Sequence, residues 1–331
     1  MAQFRVPPES YIAGIHDGVF EERAMELFRY QHSSNALYQE YCRVLRVDAD
    51  RISRLEDIPF LPISFFKTHR VQSGEWTEPA LVFESSGTTG ETVSRHYVRD
   101  AELYEESLLA GFSEAFGDAS GWTFLALLPS YLERKNASLV HMARVLMRHS
   151  GQPDNGFYLD DWTTLAQTLQ RLKDAGRKTL LLGVTFALLD FAAGCSMDLE
   201  GITVMETGGM KGRREEWTRA QVHEYLQAQW RLPRVATEYG MTELLSQAYA
   251  QQDGLLRPAP TMRVLVRELS DPLTVHAAGS GVLNIIDLAN VHSCAFIATE
   301  AIGLVHDAGS FEVLGRMDHA ALRGCSLLTA E

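Results

Sequence analysis

Residues 85–90 read Ser-Ser-Gly-Thr-Thr-Gly, an unbroken run of hydroxyls and glycines. Glycine lets the backbone approach a ligand and tolerates positive φ, and successive N–H groups and hydroxyls can converge on phosphate oxygens. The run lacks the spaced glycines and the Gly-Lys-Ser/Thr ending of a Walker loop, and by itself it fits an ordinary solvated loop as well. A second segment, Thr237-Glu238-Tyr239-Gly240-Met241-Thr242-Glu243, follows a strand-like stretch. There the tyrosine ring can stack on a purine, the threonine can meet a phosphate, and Glu243 can hold Mg²⁺, a hard cation that prefers oxygen ligands. The bland alternative is a tyrosine packed in the core. A third set lies near the end: Thr299-Glu300-Ala301-Ile302-Gly303, Gly315-Arg316-Met317-Asp318, and Cys325 with Arg323 and His319 nearby, cations that favour a thiolate.

The elements that must position these residues are legible from periodicity. From about Asp17 to Val47 apolar residues recur at helical spacing in two stretches separated by the turn-like sequence His32-Ser33-Ser34-Asn35. The connector LEDIPFLPISFFKTHRV (residues 55–71) contains two prolines that break any helix, and its apolar density predicts a buried crossing segment. Strand-like runs at 122–129, 178–185, 201–209 and 234–240 then alternate with helix-like stretches at 137–150, 163–176 and 214–230. That alternation predicts a mostly parallel sheet with helices on its faces. After Pro260 the pattern changes to short strands and turns, as in an antiparallel subdomain or small barrel.

The chain has 331 residues, 46% of them hydrophobic, enough for one large domain or two. Its net charge of −13 argues against nucleic-acid binding and against general affinity for anionic membranes, which rest on clustered Lys and Arg. No stretch approaches the about 20 apolar residues of a membrane-spanning helix, and the start has no apolar signal region, so a cytoplasmic protein without membrane insertion is expected. Cys42, Cys195, Cys294 and Cys325 lie far apart, with no metal-ligand spacing. Cys42 and Cys195 fall in helix-like segments and read as buried small hydrophobes. Cys294 stands close to His292 in a strand-like stretch, and the two are read as defining no dyad. His141 reads as an ordinary packed histidine on a helix that can face a substrate site.

Taken together, SSGTTG, YGMTE, TEAIG and GRMD resemble, in order and spacing, the core motifs of the adenylate-forming enzymes. Within that superfamily LEDIPFLPISFFKTHRV, SSGTTG, LPSYLERKNASLVHM and RGCSLL look most like the LuxE-type acyl-protein synthetases. The resemblance implies an α/β fold: a large N-terminal domain of mixed and parallel sheets flanked by helices, with a small β-rich subdomain. Residues 1–260 would form the core with its N-terminal helical segment, 261–315 the β-rich part, and 316–331 a hinge and a short cysteine-containing tail.

The same resemblance implies that ATP is used with Mg²⁺. Ser85, Ser86, Gly87, Thr88, Thr89 and Gly90 would surround the triphosphate, with Gly208 and Gly209 lining the adenine. Tyr239, followed by Gly240, would stack on the base, Thr242 would meet the α-phosphate, Glu243 would position Mg²⁺, and Arg316 would reach the ribose. The implied activity is activation of a carboxylic acid, a fatty acid by this branch, as an acyl-adenylate, with transfer to a protein thiol. Cys325 fits the position of that thiol. An acyl-donor or acyl-acceptor protein is the implied partner. Ligation to CoA or a carrier protein, and a non-catalytic nucleotide-binding subunit, are the alternatives.

Three departures stand out. Ala301 occupies the place of an aspartate that grips the ribose, leaving Glu300 or Asp307 to compensate. The loop lacks the lysine that often follows it, with Arg95 or His96 as replacements. The sequence ends soon after Arg316, so the mobile C-terminal domain and its catalytic lysine are expected to be essentially absent, which favours transfer to a protein thiol.

Overall fold

The computed structural model describes residues 11–85, 92–129, 136–208 and 217–317. Two helices, Asp17–Ser34 (α1) and Ala36–Val44 (α2), lead into the connector, which carries Leu61–Pro62 (β1) and Phe65–Thr68 (α3). The hairpin Leu81–Glu84 (β2) and Arg95–Val98 (β3) comes next, then Ala101–Phe116 (α4). Strand and helix alternate from Thr123–Leu127 (β4) through Ser138–Ser150 (α5), Gly156–Tyr158 (β5), Trp162–Asp174 (α6), Thr179–Val184 (β6) and Thr185–Gly194 (α7). Thr203–Thr207 (β7), Arg219–Trp230 (α8) and Ala236–Tyr239 (β8) complete that series. The remainder is strand: Ala248–Ala250 (β9), Arg257–Pro258 (β10), Met262–Arg267 (β11), Val275–His276 (β12), Gly279–Asp287 (β13), Phe296–Val305 (β14) and Phe311–Arg316 (β15).

The break between α1 and α2 falls on Asn35, whose extended backbone stops one helix while its side chain accepts the Tyr38 N–H to cap the next. Phe20, Ala24, Leu27 and Phe28 form the buried stripe of α1. In the connector, β1 pairs in parallel with β14, a place where Pro62 costs little because the strand is two residues long and lies at a sheet edge.

One sheet has seven strands in the order β10-β9-β8-β7-β6-β4-β5, parallel from β8 to β5 and antiparallel at β9 and β10. Every residue of β4 and β6 is buried, as expected of parallel strands covered on both faces. The strand order reverses between β4 and β6, and the loops leaving the carboxyl ends of this sheet are where an open α/β fold binds ligands. The other sheet has six strands, β1-β14-β13-β11-β12 with β15 on β14, antiparallel apart from β1.

Candidate functional site

The described part of the hydroxyl-rich run is Ser85, which directly follows β2, and Ser94 directly precedes β3. Ser85 and Ser94 close the base of the hairpin loop: the Ser85 N–H donates to the Ser94 carbonyl at 3.1 Å, and the Ser94 N–H donates to Ser85 Oγ at 2.9 Å. Ser85 therefore spends an acceptor lone pair on the hairpin and keeps its hydroxyl proton to donate. Behind the base, Arg95 is tied to Glu84 at 2.9 Å. His96 is fully buried, held well below the usual imidazole range at about 4 by desolvation, and thus neutral. His96 therefore carries no charge to replace a lysine after the loop, whereas Arg95 keeps its charge and pairs it with Glu84.

The segment after β8 folds as a turn in which the Leu244 N–H donates to the Met241 carbonyl at 3.1 Å, so Thr242 and Glu243 occupy its two central positions. Neighbours pin this turn from both sides. His96 Nδ1 lies 3.0 Å from the Thr242 carbonyl, and Asn290 Nδ2 donates to the Glu243 carbonyl at 2.9 Å. Asp287, at the end of β13, accepts from the Leu245 and Ser246 N–H groups at 2.7 and 3.0 Å and from Ser246 Oγ at 2.6 Å. The β2–β3 hairpin and the end of β13 in the six-stranded sheet therefore fix the turn.

The Glu243 carboxyl is buried, accepts from the Ser94 hydroxyl, and is raised above the ordinary carboxylate range chiefly by desolvation, against which Arg316 and Lys67 pull. Tyr239, the last residue of β8, packs edge-on to Phe311 at 5.3 Å, and its phenol lies in the fields of Arg316 and Glu243. The hairpin base, the Thr242–Glu243 turn, Tyr239 and Arg316 thus meet at one place.

Arg316, exposed at the end of β15, stands directly across from Ala301 on β14. Asp307 lies in the turn at the opposite end of that hairpin, about 20 Å along the strand at roughly 3.3 Å per residue, too far to stand in for a carboxylate at Ala301. Glu300 alternates to the other face of β14 from the buried Ala301 and lies in the field of Arg267.

Two further carboxyls sit at the carboxyl ends of adjacent strands. Glu238 accepts from the Thr207 hydroxyl, and its other oxygen would lie 2.5 Å from a Cβ at Gly240, so a side chain there would have to displace the Glu238 carboxyl. Glu206, 4.0 Å from Arg219, has one buried oxygen without a partner among the described residues. Burial lifts both acids to about 7. Gly208 has φ +76°, and its carbonyl accepts from Thr185 Oγ1 at 2.8 Å.

Ser86, Gly87, Thr88, Thr89, Gly90, Gly209 and Cys325 lie outside the described residues. Cys42 is buried in α2, but Cys195 follows α7 and is only half-buried. Cys294 and His292 belong to the turn before β14 rather than to a strand. His141 packs against Phe83 and Tyr104 at 5.7 and 5.5 Å. Sequence reasoning missed Ser94, Asp287 and Asn290, whose partners are far away in the chain, and Lys67, which stands in a quoted segment without being singled out.

Glu243 suits a hard divalent cation: it is an oxygen donor whose burial disfavours an unpartnered negative charge, and Mg²⁺ commonly takes one or two carboxylates plus substrate phosphates. Among the described residues no cluster of three His, Cys, Asp or Glu forms a self-sufficient metal cage. No helix among them is long and apolar enough to cross a membrane.

A family model described as acyl-protein synthetase, LuxE, matches residues 8–124. The chain is 22% identical to a long-chain-fatty-acid–luciferin-component ligase of Aliivibrio fischeri over 99% of this chain and 92% of that one. It is 23% identical to its namesake in Vibrio harveyi over 91% and 84%. Among solved structures, the fold matches a long-chain-fatty-acid–CoA ligase from Archaeoglobus fulgidus with a TM-score of 0.51 at 16% identity, over 76% of this chain and 54% of that one. It also matches an o-succinylbenzoate CoA synthetase from Bacillus subtilis with a TM-score of 0.50 at 14% identity, over 73% and 50%. The chain therefore spans about half of each of these solved structures.

Proposed function

We propose that this chain, a relative of the LuxE-type acyl-protein synthetases with an adenylate-forming fold, activates a long-chain fatty acid with ATP and passes the acyl group to a protein thiol. The observation that carries this reading is the meeting of the hydroxyl-rich hairpin with the Thr242–Glu243 turn, through Ser94 on Glu243 and His96 on Thr242, beside Tyr239 and Arg316. Adenylation needs donors for phosphate, a platform for the base and a carboxylate for the metal, all within one ATP length.

In the first half-reaction a carboxylate oxygen of the acid attacks the α-phosphorus, the bond to the bridging oxygen breaks, and pyrophosphate leaves with those electrons. The loop's N–H groups and hydroxyls, with Thr242, would donate to the phosphoryl oxygens, where charge rises in the transition state. Tyr239 would hold the base against Phe311, and Gly208 would let the backbone approach it. Glu243 would hold Mg²⁺, which when bound neutralises phosphate charge. In the second half a thiolate attacks the acyl carbonyl and AMP departs, giving a thioester. Cys325 is our assignment for that thiol.

One observation favours a second reading: Ala301 beside Arg316 offers no carboxylate to a ribose, as suits a nucleotide-binding subunit without turnover. Intact-mass analysis after incubation with ATP, Mg²⁺ and mixed carboxylic acids, paired with carboxylate-dependent ATP–pyrophosphate exchange, tests both. Exchange plus a hydroxylamine-labile acyl adduct supports the synthetase. ATP binding without exchange across the acid panel supports the second reading, and exchange with acyl transfer only to added CoA points to a CoA ligase.

A further inference from the structure

A bound triphosphate carries about four negative charges, and the hydroxyl-rich loop contributes dipoles to it but no cation. Among the described residues the obvious candidates near the hairpin are already committed: Arg95 to Glu84, and His96 to the core as a neutral ring. The connector supplies another. In α3, Phe66 is buried edge-on against His96 at 5.6 Å, and His96 in turn bonds the Thr242 carbonyl at 3.0 Å. The next residue, Lys67, is exposed, and no ion pair among the described residues involves it. Its backbone is anchored, with the N–H donating to Ser64 at 3.0 Å and the following turn closed by His69 on Phe65 at 2.8 Å.

We propose that Lys67 is a substrate-contacting cation of this site, delivered by the proline-containing connector to the polyphosphate of ATP and held there through Phe66 and His96. The inference rests on the adenylation reading. It also gives the connector a purpose: β1 pins it to β14, Phe66 seats it on His96, and the next residue is an exposed lysine with no ion pair among the described residues. A flexible ammonium suits a partner that arrives as a nucleotide and leaves as pyrophosphate, because it follows a moving charge without fixed bidentate geometry.

The test is calorimetric binding of ATP and of AMP to the full chain carrying Lys67→Met or Lys67→Arg, alongside exchange in the unsubstituted protein. Because Lys67 is exposed, both variants are expected to melt with the parent. Lys67→Met should weaken ATP by about tenfold or more, the scale of a hydrogen bond between charged groups, and leave AMP within about twofold. Lys67→Arg should retain most ATP affinity, and the salt dependence of ATP binding should flatten in the Met variant. Equal ATP affinity in Lys67→Met, or parallel loss of ATP and AMP, overturns the proposal while leaving adenylation intact. Absence of ATP binding and exchange in the parent protein defeats the adenylation reading, and this proposal with it.

Discussion

His96 and Thr242 are joined by a 3.0 Å hydrogen bond in which the direction is fixed: a carbonyl only accepts, so Nδ1 carries the proton. The other ring nitrogen is buried without a partner among the described residues. A fully buried imidazole with one bond made and one forgone is a costly core residue, so its value lies in the bond it makes, which ties the hairpin behind the hydroxyl loop to the turn bearing Thr242 and Glu243.

That bond is replaceable by another single donor. His96→Asn keeps an N–H near the Nδ1 position, whereas His96→Ala leaves the half-buried Thr242 carbonyl without its donor and opens a cavity beside Phe66. Exchange activity should fall about tenfold or more in the alanine variant and recover substantially in the asparagine one, although both lose thermal stability. Equal activities in the two variants would remove His96 from the positioning role.

Ala301 facing Arg316 makes a second prediction, in the direction of gain. An aspartate there would place an acceptor beside the arginine, and a hydrogen bond from a ligand hydroxyl to a charged group is worth about 1.5–3 kcal/mol. Ala301→Asp should therefore lower the KM for ATP by about tenfold or more with little change in the KM for the acid. An unchanged KM for ATP would mean that the ribose is gripped elsewhere.

Legibility of the fold followed periodicity. The strands β4, β6, β7 and β8 and the helices α5, α6 and α8 fall within the stretches that sequence alone marks out. Three helices, α3, α4 and α7, lie outside those stretches, α3 as a single turn in the connector where the two prolines predicted no helix. In α7 the apolar residues cover nearly all faces, and it starts directly where β6 ends, with Val184 both closing the strand and standing at the helix N-cap and no turn residue to signal the change. The start of α4 was marked by Asp100, whose side chain caps the Glu102 and Leu103 N–H groups, but its apolar residues are not confined to one stripe. For the site, composition gave the segments and not their supports. Asp287 binds Leu245 and Ser246 from 42 and 41 residues away, a relation no local pattern encodes. Arg95 and His96 were equally plausible cations until burial left His96 neutral and Glu84 paired Arg95.

Thiol chemistry separates the cysteines. Cys42 and Cys294 are fully buried, and burial pushes both thiols up to about 12, so neither forms thiolate near neutrality. Iodoacetamide at pH 7.5 should modify half-buried Cys195 while Cys42 and Cys294 react only after addition of urea. An acyl adduct, where formed, should survive Cys195→Ala and vanish in Cys325→Ala. Its persistence in the latter would refute our assignment of the accepting thiol.

Glu206 and Glu238 lower stability as pH rises from about 4.5 to about 7. Both carboxyls rise from 4.5 to about 7 on folding, driven first by desolvation, with Arg219 opposing at Glu206 and the Thr207 hydroxyl opposing at Glu238. Below about pH 4.5 these acids are protonated in both states and nothing is lost. As pH rises from there the unfolded chain releases its protons first, so stability drains away up to about pH 7 and then levels off. A rise of this size corresponds to something on the order of 3 kcal/mol per group. His96, His223 and His292, each lowered to about 4 by burial, act in the other direction, their contribution falling as pH drops from 6.5. Those histidines are common to parent and variant and cancel in a difference. Urea unfolding of Glu206→Gln against the parent at pH 5, 6, 7 and 8 should therefore show a gap that moves in favour of the variant by about 2 kcal/mol between pH 5 and 7, and levels off towards pH 8. A gap that does not change with pH would mean that Glu206 keeps an ordinary carboxylate in the fold, stabilised by Arg219 more than burial opposes it.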